Sequence, residues 1–330
     1  MQQNTTLMAR LQLSIIIPVY QVEKYVRASM ESIFRQGIDK QEFEVLVVND
    51  GTKDHSMDMI ADICSQHVNV KIINQSNQGL SAARNNGMQQ ATGKYTLFLD
   101  SDDLLIDNTL SHLLDEAKKT EPDMLIAGMK KMTDEEIEHG IPTTKNSLDC
   151  TIMTGESAFV NVLDARQCYV WKTLYRTDFL RDNGIKFIEG IYFEDIPFTT
   201  ECYLKADKCV VTEFPFYIYR QRAGSIVSTF SKKKMTDINT VLARLCQIKR
   251  DYVLSNEQQR KLDKVISTTL AIELWYIIHN NELIAQRKEI IGDLRHKIPD
   301  LQLHGSWKEC LLTFFLRYIP NLYLWLRAKL

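Results

Sequence analysis

Three carboxylates follow an apolar run at residues 95–103, and this stretch has the residue types and spacing best suited to chemistry. The apolar run predicts a buried strand, and Asp100, Asp102 and Asp103 come directly after it. Residues i and i+2 of an extended chain point the same way, so Asp100 and Asp102 can converge on one ligand. Carboxylate oxygens are hard ligands for Mg²⁺ or Mn²⁺, which commonly bridge to phosphates. The alternative is an acidic loop in which one Asp caps a helix near Ile106.

The elements that must position these acids alternate along the first 130 residues. Hydrophobic patterns predict strands over 13–17, 43–48, 70–73, 95–99 and 123–127, and helices over 22–34, 54–66, 80–90 and 109–118. This alternation predicts an α/β fold with a mostly parallel sheet flanked by helices, and ligands of such sheets bind at the carboxyl ends of the strands. After residue 130 the alternation ends. The sequence predicts a loop or short hairpin over 131–149 and a mixture of short strands and helices over 151–228. From about Ser231 onward the hydrophobic pattern is helical.

Composition narrows the function classes. The chain has 330 residues and a net charge of −2, so it lacks the bulk basic field typical of nucleic-acid binders, and no nucleic-acid partner is expected. Seven cysteines are scattered without a Cys-x-x-Cys pair, which indicates free thiols in a reducing compartment. The start lacks the apolar core of a signal peptide, and no run of apolar residues predicts a membrane span.

Two polar positions lie near the predicted sheet edge. Asp50 ends the second strand, where its carboxylate can accept hydrogen bonds from a nucleobase or a ribose, or can equally bond its own backbone in a turn. Arg84 lies in the first turns of the third helix, where a guanidinium can reach a phosphate or a pyrimidine carbonyl. The alternative for Arg84 is a surface ion pair with a nearby acid.

Two later segments also combine suitable residues. Glu194 and Asp195 lie near aromatic residues, where partial desolvation can raise the basicity of a carboxylate, but acids are also common at a helix N-terminus. Arg220 and Arg222 follow an aromatic segment and can contact a diphosphate, with the rings stacked on a sugar or base. An edge strand with a solvated basic tip is the alternative for these arginines.

Taken together, these motifs resemble a family 2 glycosyltransferase with the GT-A (Rossmann-like) fold, of the bacterial surface-polysaccharide type. The resemblance covers about residues 13–228. It depends on the order and spacing of motifs that are each weak alone, at residues 14–20, 48–54, 77–85, 99–103, 194–195 and 219–225.

The resemblance implies roles for the predicted site residues. Asp100 and Asp102 look like an Asp-x-Asp motif, with Asp102 as the direct ligand of Mg²⁺ or Mn²⁺. Asp195 looks like the general base, with Glu194 beside it. Asp50 would contact the nucleotide base, and Arg84 the base or ribose. Pro18, Tyr20 and Glu23 would line the nucleotide pocket. The other substrate-binding positions are Arg220 and Arg222. Lys53 departs from the Ser or Thr frequent at its position.

The resemblance implies an inverting, metal-dependent transfer of a sugar from a nucleotide-diphosphate sugar to a hydroxyl of a glycan or lipid-linked acceptor in bacterial polysaccharide synthesis. The expected donor is a UDP-sugar. We divide the chain into a nucleotide-sugar-binding α/β half (1–130), an acceptor-binding half of the GT-A domain (131–230) and a helical C-terminal region (231–330). A non-catalytic sugar-nucleotide-binding subunit and a nucleotidyltransferase are the alternatives. A binder needs no base, and a nucleotidyltransferase usually carries a Gly-rich basic loop after strand one, where this chain has Pro18, Val19 and Tyr20.

The last segment, residues 307–330, predicts a membrane-surface helix. Leu311, Phe315, Tyr318, Leu322 and Trp325 recur at helical spacing, and basic residues flank the ends. Pro320 predicts a kink. The protein is therefore expected in the cytoplasm, peripheral to the inner face of the cell membrane, and the alternative is a helix that packs in the core or at a dimer interface.

Overall fold

The computed structural model describes residues 11–141, 148–222, 231–299 and 301. These residues form two compact units. The first contains the described residues of 11–154, 170–190 and 206–222, and the second contains those of 155–169, 191–205 and 231 onward. The three-part division with boundaries at residues 130 and 230 stays a prediction.

The strands of the described chain form one nine-stranded sheet, which lies in the first unit. In chain order they are β1 (Leu13–Val19), β2 (Phe43–Asn49), β3 (Val70–Asn74), β4 (Tyr95–Phe98), β5 (Leu104–Leu105), β6 (Met124–Thr133), β7 (Thr151–Thr154), β8 (Thr173–Arg176) and β9 (Lys208–Gln221). The order across the sheet is β3-β2-β1-β4-β8-β6-β9-β5, and β7 also pairs with β9.

Strands β3, β2, β1 and β4 are parallel to one another, which confirms the predicted parallel sheet in the first hundred residues. The rest of the sheet is mixed. β8 is antiparallel to β4 and β6, whereas β9 is parallel to β6 and antiparallel to β5 and β7. The chain is therefore an α/β protein whose parallel half carries the strand ends of interest.

Helices cover the sheet and build the second unit. They are α1 (Val26–Ile33), α2 (Ala61–Gln66), α3 (Leu80–Gln90), α4 (Leu110–Thr120), α5 (Asp134–His139), α6 (Gly155–Asn161), α7 (Thr177–Asp182), α8 (Asp195–Lys205), α9 (Lys232–Asp251), α10 (Asn256–His279) and α11 (Asn281–Lys297). Of these, α6 and α8 to α11 belong to the second unit.

Close packing of α3 on β1 fixes the helix that carries Arg84. All seven residues of β1 are buried, as expected for a central strand covered on both faces. Gly87 of α3 lies so close that a Cβ there would be 2.5 Å from Cγ2 of Ile16. A larger residue at position 87 would push the helix away from the strand.

The amino-terminal edge of the sheet is held by the buried carboxylate of Glu44. Its Oε1 accepts hydrogen bonds from Ser14 Oγ at 2.8 Å and Thr92 N at 2.7 Å, and its Oε2 accepts one from Lys71 Nζ at 2.7 Å. Burial acts to raise the pKa of Glu44, but the hydrogen bonds from Lys71, Thr92 and Ser14 outweigh it and lower that pKa. This carboxylate links β1, β2 and β3 at the edge opposite the predicted site.

The second unit contains three long helices, α9, α10 and α11, which confirms the predicted helical C-terminal region. Each begins at a capping side chain, because Ser231, Ser255 and Asn280 accept hydrogen bonds from main-chain N–H groups in the first turn. Among the residues that the structure describes, no helix is both long and apolar enough to span a membrane.

Candidate functional site

Parallel pairing brings the carboxyl ends of β2, β1 and β4 to one edge of the sheet. Val19 pairs with Asn49, and Ile16 pairs with Phe98. The residues that follow these strands therefore lie along the same edge, which is where open α/β sheets bind ligands. Asp50 follows β2, and Asp100 follows β4 by one residue.

Asp50 organises the entrance of α3. Its Oδ1 accepts hydrogen bonds from Gln78 N at 2.8 Å and Gln75 Nε2 at 2.9 Å, and its Oδ2 accepts one from Gly79 N at 2.9 Å. The carboxylate is 3% exposed. The structure thus differs from the alternative of a turn in which Asp50 bonds its own backbone, because its partners belong to the next strand-helix connection. Oδ2 accepts the hydrogen bond from Gly79 and retains capacity for a second donor.

A glycine permits this approach of two loops. Gly51 has φ +64°, a backbone conformation that residues with a side chain rarely adopt. A Cβ at this position would also lie 2.9 Å from the main-chain N of Asn77. A larger residue at position 51 would therefore separate Asp50 from the loop that it holds.

Arg84 is buried and paired with Asp100. Its Nη2 donates to Asp100 Oδ1 at 2.6 Å, and its guanidinium lies over the Phe187 ring at 5.3 Å. Asn85 holds Phe187 in place, since its side chain bonds both the N and O atoms of that residue. The Arg84 side chain is 3% exposed, so the pair is not the surface ion pair of the alternative interpretation. Arg84 instead orients one oxygen of Asp100.

The acids after β4 have different surroundings. Asp102 Oδ2 accepts hydrogen bonds from Arg222 Nε at 2.8 Å and Nη2 at 2.7 Å. Burial, followed by the charge of Asp100, raises the pKa of Asp102, and the Arg222 guanidinium opposes that rise. Asp100 and Asp102 do not cap a helix near Ile106, because the next helix, α4, begins only at Leu110.

Asp103 is the buried member of the acidic group. Its Oδ2 accepts from the Tyr217 hydroxyl at 2.8 Å and its Oδ1 accepts from Arg220 N at 2.8 Å. Burial, then the charges of Asp102 and Asp100, raises its pKa well above the ordinary value. Asp103 therefore ties the acidic loop to β9.

The arginines of β9 face the acidic loop. Tyr25 lies between them, with its ring centroid 5.0 Å from Cζ of Arg220 and 5.1 Å from Cζ of Arg222. β9 pairs with β6 as far as Gln221 and with β5 at Tyr217 and Ile218, so it is not an edge strand where it approaches these arginines. Arg222 follows its last residue. The structure brings Arg220 and Arg222 together with Asp102.

The end of β1 and the loop after it carry the predicted pocket residues Pro18, Tyr20 and Glu23. Pro18 is buried in β1, whereas Tyr20 is exposed at the strand end. The main-chain N of Glu23 donates to Asp54 Oδ2 at 3.1 Å, and the Glu23 carboxylate accepts from His55 N at 3.1 Å. The loops after β1 and β2 are therefore joined beside Asp50.

Glu194 and Asp195 belong to the second unit. Asp195 is the first residue of α8, the helix start foreseen as the alternative, and Glu194 is buried. Phe193 before them has φ +63°, an uncommon conformation for a bulky residue and one that is frequent at functional sites. Burial, followed by the charge of Asp195, raises the pKa of Tyr169. The base role of Asp195 stays a prediction.

The acids after β4 suit a divalent cation that is shared with a substrate. Within the described ranges, Arg84 contacts Oδ1 of Asp100 and Arg222 contacts Oδ2 of Asp102, and no other residue donates a hydrogen bond to the second oxygen of either carboxylate. The same ranges contain no cluster of three or more His, Cys, Asp or Glu side chains that could enclose a metal. Mg²⁺ is commonly held by one or two carboxylates together with substrate phosphates and water, which fits this arrangement.

Asp134, Tyr25 and Trp171 are not among the predicted site residues. Asp134 contacts Arg220, and Trp171 stacks on Tyr217 with ring centroids 4.1 Å apart. These contacts join segments far apart in the chain, and no local pattern marks them. Residues 307–330, where a membrane-surface helix is predicted, and residues 224–225 lie outside the described residues.

Comparison with known proteins gives a consistent set of similarities. The model of the family described as "Glycosyl transferase family 2" matches residues 14–163. The chain is 30% identical over 226 residues to the uncharacterized glycosyltransferase EpsJ of Bacillus subtilis, covering 68% of this chain and 65% of that protein. It is 33% identical over 212 residues to the uncharacterized glycosyltransferase YibD of Escherichia coli, covering 63% of this chain and 60% of that protein. The chain thus spans less than two thirds of the length of these relatives.

A solved structure shares the fold. The crystal structure of Staphylococcus aureus TarS 1–349 in complex with UDP-GlcNAc aligns with a TM-score of 0.67 at 24% sequence identity, and the alignment covers 88% of this chain and 82% of that one. This similarity establishes a common architecture.

Proposed function

Because residues 14–163 of this chain are a glycosyl transferase family 2 domain, we propose that the protein transfers a sugar from a nucleotide-diphosphate sugar to an acceptor hydroxyl. The chain has the GT-A fold that the sequence resemblance implied. The relatives EpsJ and YibD are named as glycosyltransferases, and TarS, which shares the fold, was crystallised in complex with UDP-GlcNAc, so a UDP-sugar is the proposed donor.

One observation carries the proposal. Asp50 after β2, Arg84 in α3, and Asp100 and Asp102 in the loop after β4 come from three separate parts of the chain. They nevertheless lie along one sheet edge, with a buried Arg84–Asp100 contact of 2.6 Å. A structural role alone does not require two neighbouring carboxylates that remain 25% and 27% exposed, each with an oxygen that no other described residue contacts.

We assign the donor contacts as follows. Asp50 Oδ2 accepts a hydrogen bond from the base or ribose, and Arg84 supports that contact while it orients Asp100. Pro18, Tyr20 and Glu23 border the nucleotide. Arg222 provides positive charge beside the diphosphate.

Asp100 and Asp102 would hold Mg²⁺ or Mn²⁺ together with the diphosphate oxygens. Such a cation neutralises charge on the leaving nucleotide. The two carboxylates supply the hard oxygen donors, and the fixed positions of the strand ends supply the geometry.

The resemblance assigns the proton transfer to Asp195, with Glu194 beside it. The carboxylate takes the proton of the acceptor hydroxyl as the hydroxyl oxygen bonds the anomeric carbon. The bond from that carbon to the diphosphate oxygen breaks with its electron pair on the leaving nucleotide, so one displacement inverts the configuration. We propose a glycan or lipid-linked acceptor in bacterial polysaccharide synthesis, and a cytoplasmic protein held at the inner membrane face by residues 307–330.

A panel of nucleotide sugars tests this function. The wild-type protein should bind a UDP-sugar in calorimetry and release UDP only when Mg²⁺ or Mn²⁺ is present. Asp102→Ala should lose this turnover and keep its thermal unfolding transition, because Asp102 is not a core residue. Asp107→Ala, which removes an exposed acid paired with Arg35, is the matched control and should behave as wild type. Wild-type turnover in Asp102→Ala would contradict the assignment of the metal ligands.

A further inference from the structure

The two arginines at the end of β9 have different surroundings, although they are two residues apart. The Arg220 side chain is 8% exposed, and that of Arg222 is 22% exposed. Arg222 directs two N–H groups at the carboxylate of Asp102, whereas Arg220 contacts the main chain of the same residue. The sequence gives no reason to separate their roles.

Arg220 is held on three sides. Its Nε donates to the main-chain O of Asp102 at 2.7 Å, and its Nη1 donates to Asp134 Oδ1 at 2.5 Å. Its main-chain N donates to Asp103 Oδ1 at 2.8 Å, and Tyr25 lies against the guanidinium. A side chain that is this buried and this engaged cannot turn toward a substrate without breaking several charge-assisted contacts.

Strand register places Asp134 beside Arg220. Met132 pairs with Arg220 and Thr133 pairs with Gln221, so Asp134 follows directly where β6 ends. Thr133 and Glu136 form a capping box that fixes this turn, with Thr133 N donating to Glu136 Oε2 at 2.7 Å. The orientation of Asp134 is therefore set by the backbone and by a cap.

We infer that Asp134 and Arg220 form a positioning pair, in which Asp134 orients Arg220 and Arg220 fixes the main chain of the metal ligand Asp102. This inference rests on the proposed function. Arg220 then serves the reaction through Asp102 and does not touch the donor, whereas Arg222 is the donor-facing cation. Groups that orient metal ligands through hydrogen bonds commonly change metal affinity by ~10–100-fold when they are removed.

The test uses UDP and Mg²⁺ as probes of the full chain. Calorimetry measures the dissociation constant of UDP without metal and the apparent constant of Mg²⁺ with UDP present. The variants are Asp134→Ala, Asp134→Asn, Arg220→Lys and Arg222→Lys. Lysine keeps the charge but cannot reach both acceptors of Arg220. Glu135→Gln, at the next and exposed position of α5, is the matched control.

For Asp134→Ala and Arg220→Lys we expect the Mg²⁺ constant to rise ~10–100-fold while the metal-free UDP constant stays at the wild-type value. Excess Mg²⁺ should restore most of the turnover. Asp134→Asn keeps an acceptor oxygen and should fall between wild type and Asp134→Ala. Arg222→Lys should weaken UDP binding with and without metal, and Glu135→Gln should change neither constant.

Two results would overturn the inference. Equal loss of UDP affinity with and without metal in Asp134→Ala and Arg220→Lys would mean that Arg220 touches the donor. If folded Asp134→Ala kept the wild-type dissociation constant for Mg²⁺, the pair would not position the metal ligand Asp102. If Arg220→Lys does not fold, Asp134→Ala decides alone, because it removes a half-exposed side chain. A wild-type protein that binds no UDP would overturn the proposed function and this inference with it.

Discussion

Replacing Asp54 by Asn tests whether one carboxylate stabilises the two loops beside the nucleotide pocket. Asp54 Oδ1 accepts hydrogen bonds from the Thr52 and Ser56 hydroxyls, each at 2.6 Å, and Oδ2 accepts one from Glu23 N at 3.1 Å. Burial acts to raise the pKa of Asp54, but the hydrogen bonds from Ser56, Thr52 and Glu23 lower it to about 2. The ionised side chain is therefore favoured by the fold.

The expected free energy follows from this pKa. Lowering it from the ordinary 3.8 to about 2 corresponds to roughly 2.4 kcal/mol of stability. Water screens a partly exposed carboxylate, and Asn keeps one acceptor oxygen, so we expect Asp54→Asn to lower the free energy of unfolding by about 1–2 kcal/mol at pH 7.

The sign of the pH dependence is fixed by linkage. The pKa is lower in the folded state, so the unfolded state binds more protons as pH falls, and the contribution of Asp54 is complete above about pH 5 and lost between about pH 4 and pH 2. Urea unfolding of wild type and variant at several pH values measures the difference. The gap should be constant from about pH 7 to pH 5 and should narrow below about pH 4.

The control is Asp58→Asn, which removes an exposed acid from the neighbouring 3₁₀ turn. It should change stability little at any pH. The reasoning would be refuted by a gap between wild type and Asp54→Asn that persists unchanged at about pH 3, or by an equal pH-dependent loss in Asp58→Asn.

Other predictions concern substrate and location. Asp50→Ala removes the acceptor of two main-chain N–H groups at the entrance of α3, and calorimetry should show UDP binding weakened by about one to two decades; unchanged affinity would remove Asp50 from the site. Asp195→Asn should bind the donor normally and transfer sugar ~10²–10⁴-fold more slowly in initial-rate assays; a wild-type rate, or an equal loss in Glu194→Gln alone, would move the role to Glu194. Truncation after about residue 305 should shift the protein from sedimenting membranes to the supernatant and spare UDP binding; a full-length chain that ignores anionic vesicles at low salt would contradict the membrane role.

The parallel half of the sheet was predictable because its signals are local. The apolar runs that end in Pro18, Asp50 and Asp100 mark buried strands, and helix α3 lies over 80–90 as predicted. Helix α1 begins at Val26, four residues later than predicted. The preceding turn is held from outside, since Val22 N donates to Ser56 Oγ at 2.9 Å, and a side chain 34 residues away leaves no trace in the local pattern.

Long-range pairing explains the other differences. β6 continues to Thr133, beyond the predicted end at 127, because its second half pairs with β9. Arg222 and Asp102 are 120 residues apart, so their spacing in the sequence could not predict their contact. Residue types indicated which side chains could do chemistry, whereas strand register decided that Arg220 holds a main chain and Arg222 holds a carboxylate.

The stacking of Trp171 on Tyr217 gives the protein an intrinsic optical reporter. The two rings are 9° from parallel, and the Tyr217 hydroxyl is bonded to the acidic loop through Asp103. Trp171 is 3% exposed and Trp275 is 51% exposed. In a chain truncated after about residue 305, which lacks Trp307 and Trp325, a water-soluble quencher should therefore suppress the emission of Trp275 and leave that of Trp171. The residual fluorescence would then follow ligand binding at the acidic loop in real time, without a dye or a labelled substrate.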